Sequence, residues 1–527
     1  MALSFSAQSQ VVATPEILRN VFEYCNDGDN HRNALVCKTW SNEALNVLWH
    51  VVESMFPLLS LLAPLKYITD GEYGFARHIR PSDWITFQKY SWRVHEICVD
   101  FEGTDYTASA FIDIASSRPV ADLLPNLHRL TYHDSGSSFQ FLPLLIPATL
   151  TYISLTLAAS SEADLTICKD VISYLPEKAP NLQSLDISIP TDFDAVSDPD
   201  LGVEILLPAL PHLKNVVLPS CFLPSCLRPL AHLPALETVI LDSIHRQTLD
   251  IEGLRFHDAF PSLTRLAITC YSFKEVAALL HTCTPNSLRK LSVSSSKMEH
   301  VSAFSHLFDV ASSVCPDLKT ISLDGKWRKN SAAPQQAAPD DFFRILHRRP
   351  NLTSLILSNI PPLFLDIKTL SDLLIGLPSL RALCLGEFPA HLPTLPLSSL
   401  SKLAPLCPRM EHLELYMDTR SVPNTRSTGP NDTECFKRLK SLNVGPSPLE
   451  STALEVTTFL SSILPEGCRL SRSYDDAIPI EHRISKYDTW KPVVDFLPMM
   501  IRMRKAEKFV DSHSPSESPT KVNLSPS

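Results

Sequence analysis

The stretch that decides the fold is Pro350-Asn351-Leu352-Thr353-Ser354-Leu355-Ile356-Leu357. In a strand successive side chains point to opposite faces, so Leu355 and Leu357 share one face, and Pro350 supplies the turn that leads in. The pattern Pro-x-Leu-x-x-Leu-x-Leu returns as PNLQSLDI at Leu182, PHLKNVVL at Leu213, PALETVIL at Leu236, PSLTRLAI at Leu263, PDLKTISL at Leu318, PSLRALCL at Leu380 and PRMEHLEL at Met410. Looser copies anchor at Val94, Leu127, Leu150, Leu288 and Leu439. Together they make about thirteen units spaced by roughly 23 to 34 residues, a self-similarity that chance explains poorly.

Between these strands the apolar spacing changes to three or four. It does so over Phe273 to Cys283, Ala303 to Val314, Phe342 to Leu346, Ile367 to Leu374 and Thr452 to Leu464. Each unit is therefore strand, turn, helix and return. Stacked, the units predict an α/β leucine-rich-repeat solenoid over residues 94–470, with a parallel sheet inside and helices outside, curved into a horseshoe. Strands about 4.8 Å apart would give a concave wall of roughly 60 Å, a surface suited to a protein or peptide.

Alternation places Arg129, Thr131 and His133 on that wall, with Ser184, Asp186 and Ser188, Arg265 and Thr269, Lys290, Ser292 and Ser294. Thr320, Ser322, Asp324, Ser354, Ser358, His412, Glu414 and Tyr416 complete it. No dense Arg/Lys cluster lies along it, so charge-assisted capture of a phosphorylated target is not expected of the wall. The repeat is interrupted at 191–201, 325–341 and 418–434. The second interruption carries Lys326, Trp327, Arg328 and Lys329. The candidate target contacts are Arg129, His133, Arg265, Lys290, Trp327, His412 and Tyr416.

Hydrophobic residues make up 44% and charged residues 20% of the 527, enough apolar material to bury a long core. Only 13 glycines stand against 43 prolines, which argues against phosphate-cradling glycine loops. A formal charge of −10 gives no general attraction to nucleic acid. No apolar run reaches the roughly 18 residues of a membrane span, and no secretory leader is expected from residues 1–17. The 13 cysteines are scattered without a Cys-x-x-Cys pair, which favours buried thiols in a reducing compartment over disulfides or zinc.

Ahead of the repeats, residues 10–55 form a compact helical pattern. Thr14-Pro15 reads as an N-cap and first helical residue, with Ile17, Leu18, Val21 and Phe22 on one face. A polar turn from Asn26 to Asn30 follows, and a helix is expected from Ala34 through Leu45. So short a segment cannot easily enclose its own core, which leaves apolar surface for a partner or a neighbouring domain. Pro15-Glu16-Ile17-Leu18-x-x-Val21-Phe22 followed by Leu35-Val36-Cys37-Lys38-x-Trp40 resembles an F-box, the helical module that docks on the adaptor Skp1 in cullin-RING ubiquitin ligases. With the repeats, most of the chain is similar to the F-box leucine-rich-repeat proteins of fungi, a resemblance that implies a three-helix F-box-like module followed by the solenoid. Thr14 departs from the family's usual leucine, and Asn26 to Arg32 is more polar than its middle helix.

The resemblance implies a substrate-recognition subunit, cytoplasmic or nuclear, with a Skp1-like adaptor, a cullin/RING ligase beyond it and a protein target on the wall. Pro15, Glu16, Ile17, Leu18, Val21, Phe22, Leu35, Val36, Cys37 and Trp40 are the adaptor-docking residues it implies. The alternative is a leucine-rich scaffold or inhibitor that binds a protein without ligase assembly. No P-loop, Gly-x-Ser-x-Gly or His-Glu-x-x-His motif occurs, so neither catalysis nor a cofactor is expected.

Residues 56–93 form a connector, with Ser82 and Asp83 expected to cap a helix carrying Trp84, Phe87 and Tyr90. At the far end, residues 471–508 are expected to cap the last repeat through Trp490, Val493, Leu497 and Ile501, with breaks at Pro492 and Pro498. A disordered Ser/Pro tail is expected over 509–527.

Overall fold

The structure, a computed structural model, describes residues 14–513 except 70–71, 101–104, 135–138, 158–161, 190–200, 243–255, 257, 327–342, 344–345, 347–348, 361–364, 388–392, 423–434 and 473–479. Most of the three interruptions and the tail from 514 lie outside the described residues.

Fifteen strands make up the main sheet, in chain order: Val51–Val52, Glu96–Asp100, Arg129–Asp134, Tyr152–Leu157, Ser184–Ser188, Asn215–Pro219, Thr238–Asp242, Arg265–Cys270, Lys290–Ser295, Thr320–Asp324, Ser354–Ile360, Ala382–Glu387, His412–Glu414, Ser441–Asn443 and Arg469–Ser471. All but the first and last follow an anchor read from the sequence. Among the described residues, helices lie between most successive strands, which makes the chain an α/β leucine-rich-repeat solenoid. The chain divides into two compact units, Met1–Ile268 and Thr269–Ser527.

In the first unit the register runs Ile97, Leu130, Ile153, Leu185, Val216, Val239 and Leu266 across neighbouring parallel strands. Every one of them is buried. The anchors Leu127, Leu150, Leu182 and Leu213 are sealed as well. Each contributes roughly 2 kcal/mol by leaving water. A second, three-stranded sheet is a feature the sequence pattern does not announce: Leu65–Thr69 and Glu72–Phe75 form an antiparallel pair, and Asp105–Tyr106 joins in parallel. The connector helix is Pro81–Ser91, and its N-cap is Arg80 rather than Ser82 or Asp83. Asp83 instead reaches back to accept from the Arg80 backbone N–H at 2.7 Å. Trp84 and Phe87 are buried, ring against ring at 5.4 Å.

In the second unit the inner row is Leu291, Ile321, Leu355, Leu383, Leu413, Leu442 and Leu470. The helices Phe273–Cys283 and Val301–Val314 bury Phe273, Phe304 and Phe308, with Phe273 and Phe304 edge to face at 4.8 Å. The last helix, Ile480–His513, runs through both Pro492 and Pro498 instead of breaking. Trp490, Val493, Leu497 and Ile501 are buried on one stripe, and Trp490 Nε1 donates to the Ser447 carbonyl at 2.9 Å. This packing offsets the backbone bonds the prolines remove. None of the thirteen cysteines forms a disulfide, and burial pushes the Cys226, Cys283, Cys315 and Cys407 thiols up to about 12.

Candidate functional site

The N-terminal module is built from three helices, α1 (Pro15–Glu23), α2 (Asp27–Asn33) and α3 (Lys38–Leu48). Helix α1 starts at Thr14, extended and without a side-chain cap bond, with Pro15 at its first position and Glu16 in its first turn. Its apolar residues make two neighbouring stripes. Leu18 and Phe22, four apart, point inward and are buried with Ala44, and Cys25, Ala34, Trp40 and Val47 pack against them. The Phe22 and Trp40 rings meet edge to face at 5.3 Å.

Helix α2 is the middle helix that the resemblance implies, although the residues alone read as a polar turn; polar contacts hold it. Asn26 accepts from the Asp29 N–H at 2.9 Å, and acids at its start and His31 and Arg32 at its end complement the helix dipole. Its one buried residue, Asn30, donates to the Phe22 carbonyl at 2.9 Å. Helix α3 begins at Lys38 rather than Ala34, leaving Leu35, Val36 and Cys37 in the turn between helices.

Among the described residues nothing covers the second stripe of α1. Ile17, Val21 and Tyr24, at spacings of four and three, are 39%, 52% and 93% exposed. In the following turn Leu35 is 87% and Val36 60% exposed. Pro15, Glu16 and Cys37 are also exposed. The implied docking residues therefore fall into two groups. Leu18 and Phe22 are the module's own core, with Trp40 half-buried beside them, whereas Ile17, Val21, Leu35 and Val36 face outward. Tyr24 belongs with the outward group; the helical period that selects Ile17 and Val21 extends to it.

A polar latch fixes this face to the repeats behind it. Glu43 of α3 is buried, and its Oε2 accepts from Arg19 Nη2 at 2.8 Å and Nε at 3.0 Å. Asn42 and Asn46 each donate to Glu43 through the amide nitrogen, while their carbonyl oxygens accept from Arg93, just before the Glu96–Asp100 strand. Burial alone would push the Glu43 carboxyl up; the hydrogen bonds from Arg19, Asn46 and Asn42 outweigh it and hold the group below its ordinary value. Bonded partners in the latch lie up to 51 residues apart, and no local sequence signal pairs them.

On the outer face of the first unit's strands, Arg129 is exposed, its guanidinium 4.1 Å over the Tyr152 ring and 3.7 Å from Glu96. His133 is half-buried and bonded to Thr156 at 2.7 Å, which meets Ser188 at 3.0 Å. Ser154 donates to Asp186 at 3.1 Å; burial pushes that carboxyl up against this bond and the pull of His133. Arg265 is exposed. In the second unit Lys290 and His412 are exposed, the latter bonded to Ser441 at 2.8 Å. Tyr416 departs from the expectation: its strand ends at Glu414, the alternation stops, and Leu415, Tyr416 and Met417 are all buried. Trp327 lies outside the described residues. Among the described residues no helix is long and apolar enough to cross a membrane.

No family model matches the chain, and no curated protein matches it. Among solved structures, the chain is similar to the leucine-rich repeat-containing protein LegL7 from Legionella pneumophila at 12% identity, covering 56% of this chain and 83% of that one with a TM-score of 0.31. It is also similar to the Rad7 and Elc1 complex of yeast at 14% identity, covering 69% of this chain and 75% of that one, again with a TM-score of 0.31.

Proposed function

We propose that the chain is the substrate-recognition subunit of an SCF-type ubiquitin ligase, its helical module docking on a Skp1-like adaptor and its repeats holding a protein target. The observation that carries the reading is the divided helix α1: one stripe closes the module's core and the other, with Leu35 and Val36, stands open. Large apolar side chains left open on a module that already has a core mark an association surface. Covering Val21, Leu35 and Val36 would contribute roughly 2 kcal/mol each. The resemblance of Pro15–Phe22 and Leu35–Trp40 to an F-box names the partner. On this reading the chain does no covalent chemistry; it supplies proximity and orientation, and the Glu43–Arg93 latch keeps adaptor and target in a fixed relation. The protein then works in the cytoplasm or nucleus.

Co-expression of the full chain with Skp1 tests this. The wild type should co-purify with the adaptor, and Leu35→Asp with Val36→Asp should abolish capture while circular dichroism stays unchanged. A folded wild type that leaves Skp1 behind would return the chain to the scaffold or inhibitor reading.

A further inference from the structure

The closing helix Ile480–His513 carries two apolar stripes, and the fold of the second unit uses one of them. Trp490, Val493, Leu497 and Ile501 are buried on the inner side. On the far side Phe496, Met499 and Met503 fall within roughly 60° of arc, each more than half exposed. Pro492, half-buried, and Ala506, exposed, extend this outer row at both ends. From Pro492 to Ala506 the spacing runs four, three, four, three, which is the narrow seam of a two-helix coiled coil and not the broader stripe that packs on a globular body. Asp495 and Arg502 stand seven residues apart and border the seam on the same edge, both exposed. Arg502 has only a distant anion within the chain: its Nε is 4.0 Å from Glu466, whose other oxygen takes Lys505 at 2.7 Å.

We infer that this outer row is a dimerisation seam, and that its occupant is the same helix of a second copy, running antiparallel. In that arrangement Phe496 lies opposite Met499 of the second copy and Pro492 opposite Met503 of the second copy. Asp495 then meets Arg502 of the second copy, and the two-fold axis makes the pair twice and closes the assembly at two chains. A parallel pair would instead set Asp495 beside Met500 of the second copy, with no cation to face. The methionines, unbranched and polarizable, fit themselves to a partner's side chains. An anionic membrane suits the row less well, because Asp495 borders it and the chain as a whole carries −10. A seam about 21 Å long places the dimer among weak, concentration-dependent interfaces. The inference stands on the second unit alone and neither needs nor tests adaptor docking.

Sedimentation velocity of the full-length chain, in a concentration series reaching ~100 µM, should show the wild type moving from one chain mass toward two. Asp495→Arg puts like charges together at both contacts and should weaken the dimer about tenfold, as should Arg502→Asp. The two changes combined restore opposite charges and should return affinity to within about threefold of the wild type, a recovery that a damaged helix could not give. Met499→Lys with Met503→Lys, at exposed positions that leave circular dichroism unchanged, should give monomer only. Leu35→Asp with Val36→Asp should leave the dimer intact; its loss there would assign the contact to the helical module and overturn the inference. A wild type that stays at one chain mass throughout also overturns it, as does a dimer indifferent to the single charge changes. Failure of the combined variant to recover overturns the antiparallel arrangement. Co-sedimentation of a monomeric wild type with phosphatidylserine vesicles, lost in the double lysine variant, would give the row to a membrane instead.

Discussion

Two leucines mark the contrast between the halves of this molecule's task. Leu355, in the strand Ser354–Ile360, is fully buried in a row of matched residues from strand to strand. Leu35, in a turn of the helical module, is 87% exposed. The repeat body spends its apolar residues on its own cohesion and turns polar groups outward. The module closes a small core with Leu18, Phe22 and Trp40 and leaves a second apolar set open. The same residue type thus serves folding in one place and, on the proposed reading, association in the other.

The sharpest way to break the contrast is to truncate both. Leu355→Ala should destabilise its strand by about 2–5 kcal/mol, the range for emptying a packed leucine site, and Leu35→Ala by less than about 0.5 kcal/mol. Hydrogen exchange read by mass spectrometry resolves the two regions separately, which matters because a chain of two units need not unfold in one step. Exchange over 354–360 should accelerate by at least about thirtyfold in the first variant, and exchange over 15–48 should not move in the second. Comparable effects would mean that Leu35 is structural and the open face a misreading.

Next in size is the latch. Removing the Glu43 charge with Glu43→Gln leaves Arg19 and the two asparagines facing a neutral amide. The expected loss is about 1–3 kcal/mol, below that of a fully enclosed ion pair because Arg19 is half exposed. The pH dependence has a definite sign. A carboxyl held below its ordinary value of 4.5 contributes fully above that value and loses the contribution as pH falls through its lowered folded value. Acidification should therefore lower the protection of 38–48 relative to the intrinsic exchange rate at each pH in the wild type, and Glu43→Gln should flatten that response.

A smaller effect is expected at the helix Ala453–Ile463, capped by Thr452, whose Oγ1 accepts from the Glu455 N–H at 3.3 Å. Thr452→Ala should cost about 1 kcal/mol, and Thr452→Ser almost nothing. A larger loss in the serine variant would show that the methyl group's packing, not the cap, holds this end of the second unit.

Much of the repeat body was legible because its signal is redundant. A proline, an anchor leucine and two leucines at period two all specify the same strand, so even loose copies at Val94 and Leu439 lead into Glu96–Asp100 and Ser441–Asn443. Where that redundancy is missing the pattern is silent. Val51–Val52 and Arg469–Ser471 are short strands without the full motif, and the Leu65–Phe75 hairpin has none of it. Helix α2 escapes periodicity because it has no apolar residue to repeat. Tyr416 misleads for the opposite reason, since alternation carried past Glu414 continues a strand that has ended. In the module, spacing shows that Ile17, Leu18, Val21 and Phe22 cluster, but only packing decides which pair turns inward.

The smallest effect tests the other side of the contrast, whether the outer strand face is free of structural duty. Arg129 lies over Tyr152 and only 3.7 Å from Glu96, and its side chain is half exposed, so Coulomb attraction is screened and the stack supplies most of what it offers. Arg129→Ala should therefore cost no more than about 1 kcal/mol, and the electrostatic part should fade in ~1 M salt, where the screening length is about 3 Å. Arg129→Lys keeps the charge but loses the planar stack, and should fall between the two. A loss that is large and indifferent to salt would make Arg129 a strut of the sheet. Its exposed face would then be committed to the fold in the way the inner face is, and the division of labour between module and repeats would have to be drawn elsewhere.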